Sequence, residues 1–257
     1  MRYGYFDDAA REYVIDRVDV PQSMTNYLGT QRMGTVISHN AGGYSWLDSP
    51  QHHRITRFRP NGVPMDFPGH YVYLRDGETG KYWSVSWQPT GVDLKDAKYV
   101  CRHGLSYSTY TCERDGIFAS QTLFIPREDG GEDPVEIFDV RVKNLSGVPR
   151  TLDVTGYVEF SFHNIDIDNQ NFQMSLYCAG SFQEDGAAVC ELHYEPNSFQ
   201  FFASDFEPDG YEGTREAFIG NYRTERNPIG VERGALTGSH ENGGNPVGAL
   251  MKRLKLA

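Results

Sequence analysis

The stretch "TLDVTGYVEFSF", residues 151–162, decides the fold class. Apolar and polar residues alternate along it, and the side chains of an extended strand point to opposite faces in turn. One face would carry the apolar set, which consists of Leu152, Val154, Val158, Phe160 and Phe162. The other face is mostly polar, so the pattern predicts an unusually long β-strand that is buried on one side only. Gly156 lies in its middle, where we expect it to weaken the strand.

The rest of the chain repeats this period of two in shorter pieces. Further predicted strands are "HYVYLRD" (70–76), "GIFASQTLFIP" (116–126), "EIFDVRVK" (136–143) and "GALMKRLKLA" (248–257). Turn signals separate the strands: "RDGETG" (75–80), "RDG" (114–116), "REDGGEDP" (127–134) and "NLSGVP" (144–149). Helical patterns are nearly absent. The sequence therefore predicts an all-β fold, in which one large antiparallel sandwich domain covers residues 1–257 and few helices occur.

Composition and charge exclude several function classes. The chain has 257 residues, of which 39% are hydrophobic, and its formal net charge is -11. Nucleic acids and anionic membranes bind clustered basic residues, so neither is an expected partner. Neutral sugars remain possible ligands, and a local cationic pocket could still bind phosphate. Residues 1–17 show no apolar leader, so we expect a cytoplasmic protein with its four cysteines reduced.

A polar segment interrupts two strand-like runs at "FSFHNIDIDNQNFQMSLY", residues 160–177. Its core, "DIDNQN" from Asp166, resembles the start of a calcium loop. An EF-hand loop needs Gly at position 6 and Glu at position 12, where this chain has Asn171 and Tyr177. The eight histidines and four cysteines likewise form no spacing typical of a metal site. We therefore predict no metal here, and a polar turn is the simpler interpretation.

Aromatic residues near turns leave two interpretations open. They are Tyr44, Trp46, Tyr71, Tyr73, Trp83 and Trp87. Each ring could fill the core of the sandwich, or it could stack on the C–H face of a sugar while its polar group binds a hydroxyl. No nucleophile elbow, phosphate loop or dinucleotide fingerprint is present, and no catalytic carboxylate pair stands out among the many acidic residues.

Long motifs carry a resemblance to a known family. They include "VISHNAGGYSW" (36–46), "RITRFRPNGVPMDFPGHYVYLRD" (54–76), "YWSVSWQP" (82–89) and "VEFSFHNIDIDNQNFQMSLYCAG" (158–180). In this order they closely resemble the N-terminal region of the family-94 inverting glycoside phosphorylases, the group of cellobiose, N,N'-diacetylchitobiose and cellobionic acid phosphorylases. The resemblance covers essentially the whole chain.

The resemblance implies a fold and an activity. Family members begin with a β-supersandwich domain, similar to the galactose mutarotase sandwich, which precedes an (α/α)6 catalytic barrel. They are homodimers that cleave a β-1,4-linked disaccharide with inorganic phosphate and release an α-sugar 1-phosphate with inversion. No other cofactor is implied. The general-acid Asp lies in the barrel, so this segment would carry no catalytic residue and would be inactive alone. We expect it to be truncated before the end of its domain.

The resemblance also assigns a candidate site. In relatives, the region that matches "DNQNFQ" (168–173) lies at a hairpin tip near the active-site mouth. It implies that Gln173, with Asn171 and Asn169, contacts the acceptor sugar across the dimer, since amides offer both donors and acceptors to hydroxyl groups. A loop that only packs on the partner is the alternative for this segment. For the chain as a whole, the alternatives are a stand-alone carbohydrate-binding module and a degenerate fragment.

Overall fold

The computed structural model describes residues 2–58, 66–127, 134–166, 179–195 and 197–257. These residues form antiparallel strands and two short helices. The strands are β1 (Gly4–Asp7), β2 (Glu12–Ile15), β3 (Thr25–Gly29), β4 (Met33–Ser38), β5 (Gly43–Leu47), β6 (Arg54–Thr56), β7 (Tyr71–Asp76), β8 (Tyr82–Ser84), β9 (Lys98–His103), β10 (Tyr107–Arg114), β11 (Ile117–Phe124), β12 (Ile137–Asn144), β13 (Arg150–His163), β14 (Ala179–Glu184), β15 (Ala187–Leu192), β16 (Phe199–Phe202), β17 (Gly210–Thr214), β18 (Glu241–Asn242) and β19 (Pro246–Leu256). The helices are α1 (Arg215–Ile219) and α2 (Ile229–Arg233).

The described strands form three sheets. A six-stranded sheet has the order β1-β2-β9-β10-β11-β12, and a nine-stranded sheet has the order β17-β19-β13-β6-β5-β4-β3, with β7 and β8 attached through β13. A four-stranded sheet has the order β16-β15-β14-β18. The prediction of a large antiparallel sandwich with few helices is confirmed.

The main core lies between the two large sheets. The nine-stranded sheet contributes Tyr71, Tyr73 and Trp83, each 0% exposed. The six-stranded sheet contributes Tyr110 and Ile117 to the same cluster. Tyr71, Tyr73 and Trp83 are therefore core residues and are not available to stack on a sugar. Trp87 also packs partly buried against this cluster.

Strand β13 is the central strand, and one prediction about it is wrong. It begins at Arg150 and ends at His163, one residue beyond each end of the predicted stretch, but both of its faces are buried. The polar face includes Asp153 at 2%, Tyr157 at 0% and Glu159 at 1% exposure. The exposed face expected from the sequence is covered by residues that lie far away in the chain.

Two layers account for this burial. On one side Tyr157 stacks on Phe218 of α1, with ring centroids 4.5 Å apart. On the other side Val158 and Phe160 pack against the four-stranded sheet. Gly156 does not mark a weakness, because a β-carbon there would lie 2.9 Å from the ring of Phe202 on β16. Glycine allows β16 to approach β13 closely.

Helix α1 is short and begins at a capping residue. The Thr214 hydroxyl accepts a hydrogen bond from the backbone N–H of Ala217, and Gly220, at φ 93°, follows the last helical residue. No helix among the described residues has the length and apolar character needed to cross a bilayer. Both helices pack on strands of the nine-stranded sheet, α1 on β17 and α2 on β7.

Candidate functional site

The segment assigned to sugar binding lies outside the described residues. Asn169, Asn171 and Gln173 all belong to residues 167–178, so the structure neither brings them together nor separates them. Both flanks of the segment are described. Strand β13 ends at His163 on one side, and β14 begins at Ala179 on the other. These flanks define what we call the loop base.

His163 turns the chain out of the sheet at the loop base. Its φ of 60° is in the left-handed region, which costs a non-glycine residue about 1–2 kcal/mol. Burial, followed by the neighbouring His53, lowers the pKa of His163 below its ordinary value, so the imidazole is neutral at pH 7. The ring centroids of the two histidines are 4.4 Å apart. Strain of this kind persists only where the surrounding structure enforces it.

The hydrogen bonds of His163 hold it in place. Its Nδ1 lies 3.1 Å from an Oε2 atom of Glu195, so a neutral ring donates there and leaves Nε2 as an acceptor. Nε2 is buried and has no partner among the described atoms. The Ser198 hydroxyl lies 3.4 Å from Nδ1. The loop base is therefore fixed by residues that follow the loop in the chain.

The first residues of the loop bind the turn between β5 and β6. The backbone N–H of Ile165 donates to the carbonyl of Gln51 at 3.0 Å. The Gln51 side chain reaches Asp166 at 3.5 Å, and the N–H of Asp166 is capped by Asn164 at 2.9 Å. These contacts attach residues 164–166 to the turn between β5 and β6.

A buried group of charges lies close to the loop base along β13. Glu159 binds Arg215 at 2.8 Å, and Arg215 binds Glu225 at 2.5 Å. Arg57 lies 4.0 Å from the other oxygen of Glu159. Two carboxylates and two guanidinium groups balance, which buried charges require. Burial, reinforced by Glu159, raises the pKa of Glu225.

The sequence patterns do not predict this charge group. Its only sequence signals are Arg57 within a strand-like run and an acidic residue, Glu159, on a strand. The charges pair with each other and with Tyr157, whose hydroxyl donates to Glu159 at 2.9 Å. The group therefore joins α1 to β13, and nothing in its geometry provides a catalytic acid.

The described residues provide no metal centre. No group of three or more His, Cys, Asp or Glu side chains among them could hold an ion. Cys101, Cys112 and Cys190 are buried free thiols, and burial raises the pKa of each one. Cys178 lies outside the described residues. A buried thiol with a raised pKa is a poor nucleophile, because the reactive form is the thiolate.

Comparison with known proteins identifies the family to which the chain is similar. The family described as "Glycosyl hydrolase 94, supersandwich domain" matches residues 11–257. The chain is 52% identical to an N,N'-diacetylchitobiose phosphorylase of Vibrio furnissii and 52% identical to one of Vibrio proteolyticus, over 100% of the chain and 32% of each relative. It is 30% identical to a solabiose phosphorylase of Paenibacillus borealis, over 96% of the chain and 32% of that relative.

The chain thus spans about a third of the length of these relatives. The matched residues include every strand of the two large sheets except β1, as well as both flanks of the 167–178 segment. Sheet architecture and sequence similarity agree along nearly the whole chain. The chain belongs to the glycosyl hydrolase 94 supersandwich-domain family.

Proposed function

We propose that this chain is the N-terminal domain of an inverting disaccharide phosphorylase. The observation that carries the proposal is the 52% identity over the whole chain to N,N'-diacetylchitobiose phosphorylases. N,N'-diacetylchitobiose is accordingly the first candidate substrate. Cellobionic acid and cellobiose, the other substrates implied by the family resemblance, are the alternatives to be tested beside it.

In this proposal the chemistry takes place outside the segment. A general acid in an (α/α)6 barrel protonates the leaving oxygen of the β-1,4-linked disaccharide. Phosphate, already an anion, attacks the anomeric carbon from the opposite face and needs no catalytic base. The bond between the two sugars breaks, and an α-sugar 1-phosphate forms with inverted configuration.

The domain's own part is to complete the acceptor-sugar side. Asn169, Asn171 and Gln173 would present amide groups to the acceptor hydroxyls, in a homodimer where the segment reaches the partner's active site. The hydrogen-bonded loop base supports this role, because a segment that positions a sugar needs fixed ends. The strained His163 and the Ile165–Gln51 backbone hydrogen bond supply them.

A phosphate-dependent assay of the full-length protein tests the proposal. Purified protein is incubated with each of the three disaccharides, with and without inorganic phosphate, and sugar 1-phosphate is quantified. We expect product only when phosphate is present, and most of it from N,N'-diacetylchitobiose. Release of free sugars independent of phosphate, or no turnover of any of the three, would contradict the proposal.

A further inference from the structure

One face of the nine-stranded sheet carries aromatic rings toward solvent. Tyr27 is opposite Val36, and Val36 is opposite Tyr44, so all three side chains share a face of β3, β4 and β5. Gly34 is opposite Trp46 on this same face. The opposite face of these strands holds the core residues Leu28 and Ile37. We call the outward face, defined by Tyr27, Gly34, Val36, Tyr44 and Trp46, the aromatic face.

Glycine at position 34 shapes this face. A β-carbon there would lie 2.3 Å from Cζ2 and 2.6 Å from Cε2 of Trp46, so the indole crosses β4 directly over the glycine. Gly29 is opposite Gly34 on β3 and, like Gly34, carries no side chain. Glycine inside a strand often marks a close approach of another group to the backbone. Here it lets a partly exposed indole rest against the sheet, with its remaining surface outward.

Neighbouring rings fix this arrangement. Tyr44 lies 5.6 Å from Trp46 and 5.4 Å from Phe58, measured between ring centroids. The Arg54 guanidinium lies 3.8 Å from the Tyr44 ring centroid and donates to the Pro50 carbonyl at 2.9 Å. Tyr44 is thus held from one side. Tyr27, by contrast, is 71% exposed.

Polar groups accompany the rings. Within the described part of the chain, the hydroxyls of Tyr27 and Tyr44 and the indole N–H of Trp46 make no hydrogen bond. The exposed Arg32–Asp48 ion pair borders the face at the ends of β4 and β5. Rings with free donors suit a ligand that offers both C–H faces and hydroxyl groups. A purely apolar partner would leave those donors unsatisfied.

The face is also longer than one sugar. Tyr27 and Tyr44 are two inter-strand spacings apart, about 9.6 Å. Tyr27 and Gly34 are diagonal neighbours on β3 and β4, about 7–8 Å apart. An aromatic side chain can span that distance. A single pyranose ring does not bridge Tyr27 and Tyr44, whereas consecutive rings of an extended oligosaccharide do.

We propose that the aromatic face is a second carbohydrate-binding surface, which holds β-linked oligosaccharide chains longer than the disaccharide. The choice of a β-linked saccharide rests on the proposed function, whereas the position of the surface rests on the rings alone. It is built from the outward face of β3–β5 and uses none of residues 167–178. It would retain a longer saccharide on the enzyme without contributing to the reaction.

Calorimetric binding of a β-1,4-linked N-acetylglucosamine tetramer to the full-length protein tests this proposal. We expect Tyr27→Ala and Trp46→Ala each to weaken binding about threefold to tenfold, the range of one aromatic stacking contact. Gly34→Ala should act like Trp46→Ala, because its β-carbon displaces the indole. The matched control is Tyr222→Ala, which removes a still more solvent-exposed tyrosine from the segment between the helices.

Each outcome decides the proposal. Tyr27 is exposed enough that its replacement leaves folding intact, so it remains decisive if Trp46→Ala fails to fold. Tetramer binding that is absent in the wild type, unchanged in Tyr27→Ala, or equally reduced in Tyr222→Ala would overturn the surface. Phosphorolysis by the wild-type protein is measured on the same preparations. Its absence would refute the proposed function, and the binding data would still decide the aromatic face.

Discussion

Asp76 is a buried carboxylate at the end of β7, with 1% exposure. Its oxygens accept hydrogen bonds from the N–H groups of Glu78 and Thr79 and from the guanidinium of Arg150. Burial by itself raises the pKa of this carboxyl, but the donors outweigh it and hold the pKa at about 2. Asp76 thereby fixes the turn after β7 to the first residue of β13.

Replacing Asp76 with Asn should remove up to about 2 kcal/mol of stability at pH 7. A carboxyl with a lowered pKa in the folded state stabilises the protein above the unfolded pKa, near 4. That contribution is lost as the pH falls from about 4 to about 2. Urea unfolding at a series of pH values measures it, and the variant should show a shallower acid slope in that range.

Asp139→Asn is the control for this measurement. It breaks the exposed pair with Arg141, whose side chain is 78% exposed, and exposed pairs contribute little. Equal pH dependence in Asp76→Asn and the wild type would show that Asp76 carries no such contribution.

Gln173 is the residue through which the proposed sugar site is most directly tested. In the full-length protein, Gln173→Ala should raise the KM for the acceptor sugar in the synthetic direction by about tenfold, the cost of one or two lost hydrogen bonds. The KM for phosphate should change far less. Ser175→Ala, in the same segment, is the matched control. Unchanged acceptor kinetics in Gln173→Ala would favour the polar-turn interpretation.

At the scale of elements, β13 shows how far an alternation pattern can be trusted. Its bounds followed from the period of two, because that period reports backbone conformation. The burial of both faces of β13 did not follow from the sequence, since the pattern predicts that Asp153 and Glu159 face solvent. They are buried because Arg253 binds Asp153 at 2.6 Å and Arg215 binds Glu159 at 2.8 Å. Both partners come from distant segments that a local pattern does not report.

Gly156 provides a test of the packing between β13 and β16. Alanine normally stabilises a strand relative to glycine, but here the added β-carbon would lie 2.9 Å from the Phe202 ring. We expect Gly156→Ala to destabilise the protein by about 1–3 kcal/mol, the usual cost of overpacking. Chemical denaturation measures the change in unfolding free energy.

A double-mutant cycle with Phe202→Leu identifies the cause. The smaller side chain makes room for the β-carbon, so the cost of Gly156→Ala should shrink in the Phe202→Leu background. If the effects of the two substitutions are additive, the cost of Gly156→Ala does not come from the contact with Phe202.

At the scale of the whole molecule, the sandwich could be predicted from the sequence and the third sheet could not. Strands β7, β11, β12, β13 and β19 each matched a predicted segment. The four-stranded sheet uses short strands, such as β16 (Phe199–Phe202) and β18 (Glu241–Asn242), whose patterns are too brief to identify. The sugar-site residues came from family resemblance alone and remain a prediction. The aromatic face required the sheet register, which places Tyr27 beside Val36 and Tyr44.

Because the proposed catalytic residues lie outside this chain, the isolated chain and the full-length protein should differ in phosphorolysis activity. The 257-residue chain should release no sugar 1-phosphate from N,N'-diacetylchitobiose in the presence of phosphate, whereas the full-length protein should. The reason is that the proposed function assigns the general acid to the barrel. Circular dichroism of the same sample checks that the isolated chain is folded. Phosphorolysis by the isolated chain would contradict this assignment.

The pairing of β13 with β19 also constrains the order of folding. Arg150 is opposite Leu256 and Glu159 is opposite Val247, so this ladder joins residues about 100 positions apart. During synthesis, the central strand emerges from the ribosome long before this partner does. The edge of β13 that pairs with β19 stays unpaired until the four-stranded sheet and both helices have been synthesised. The nine-stranded sheet therefore closes late, and long-range pairing of this kind is slow.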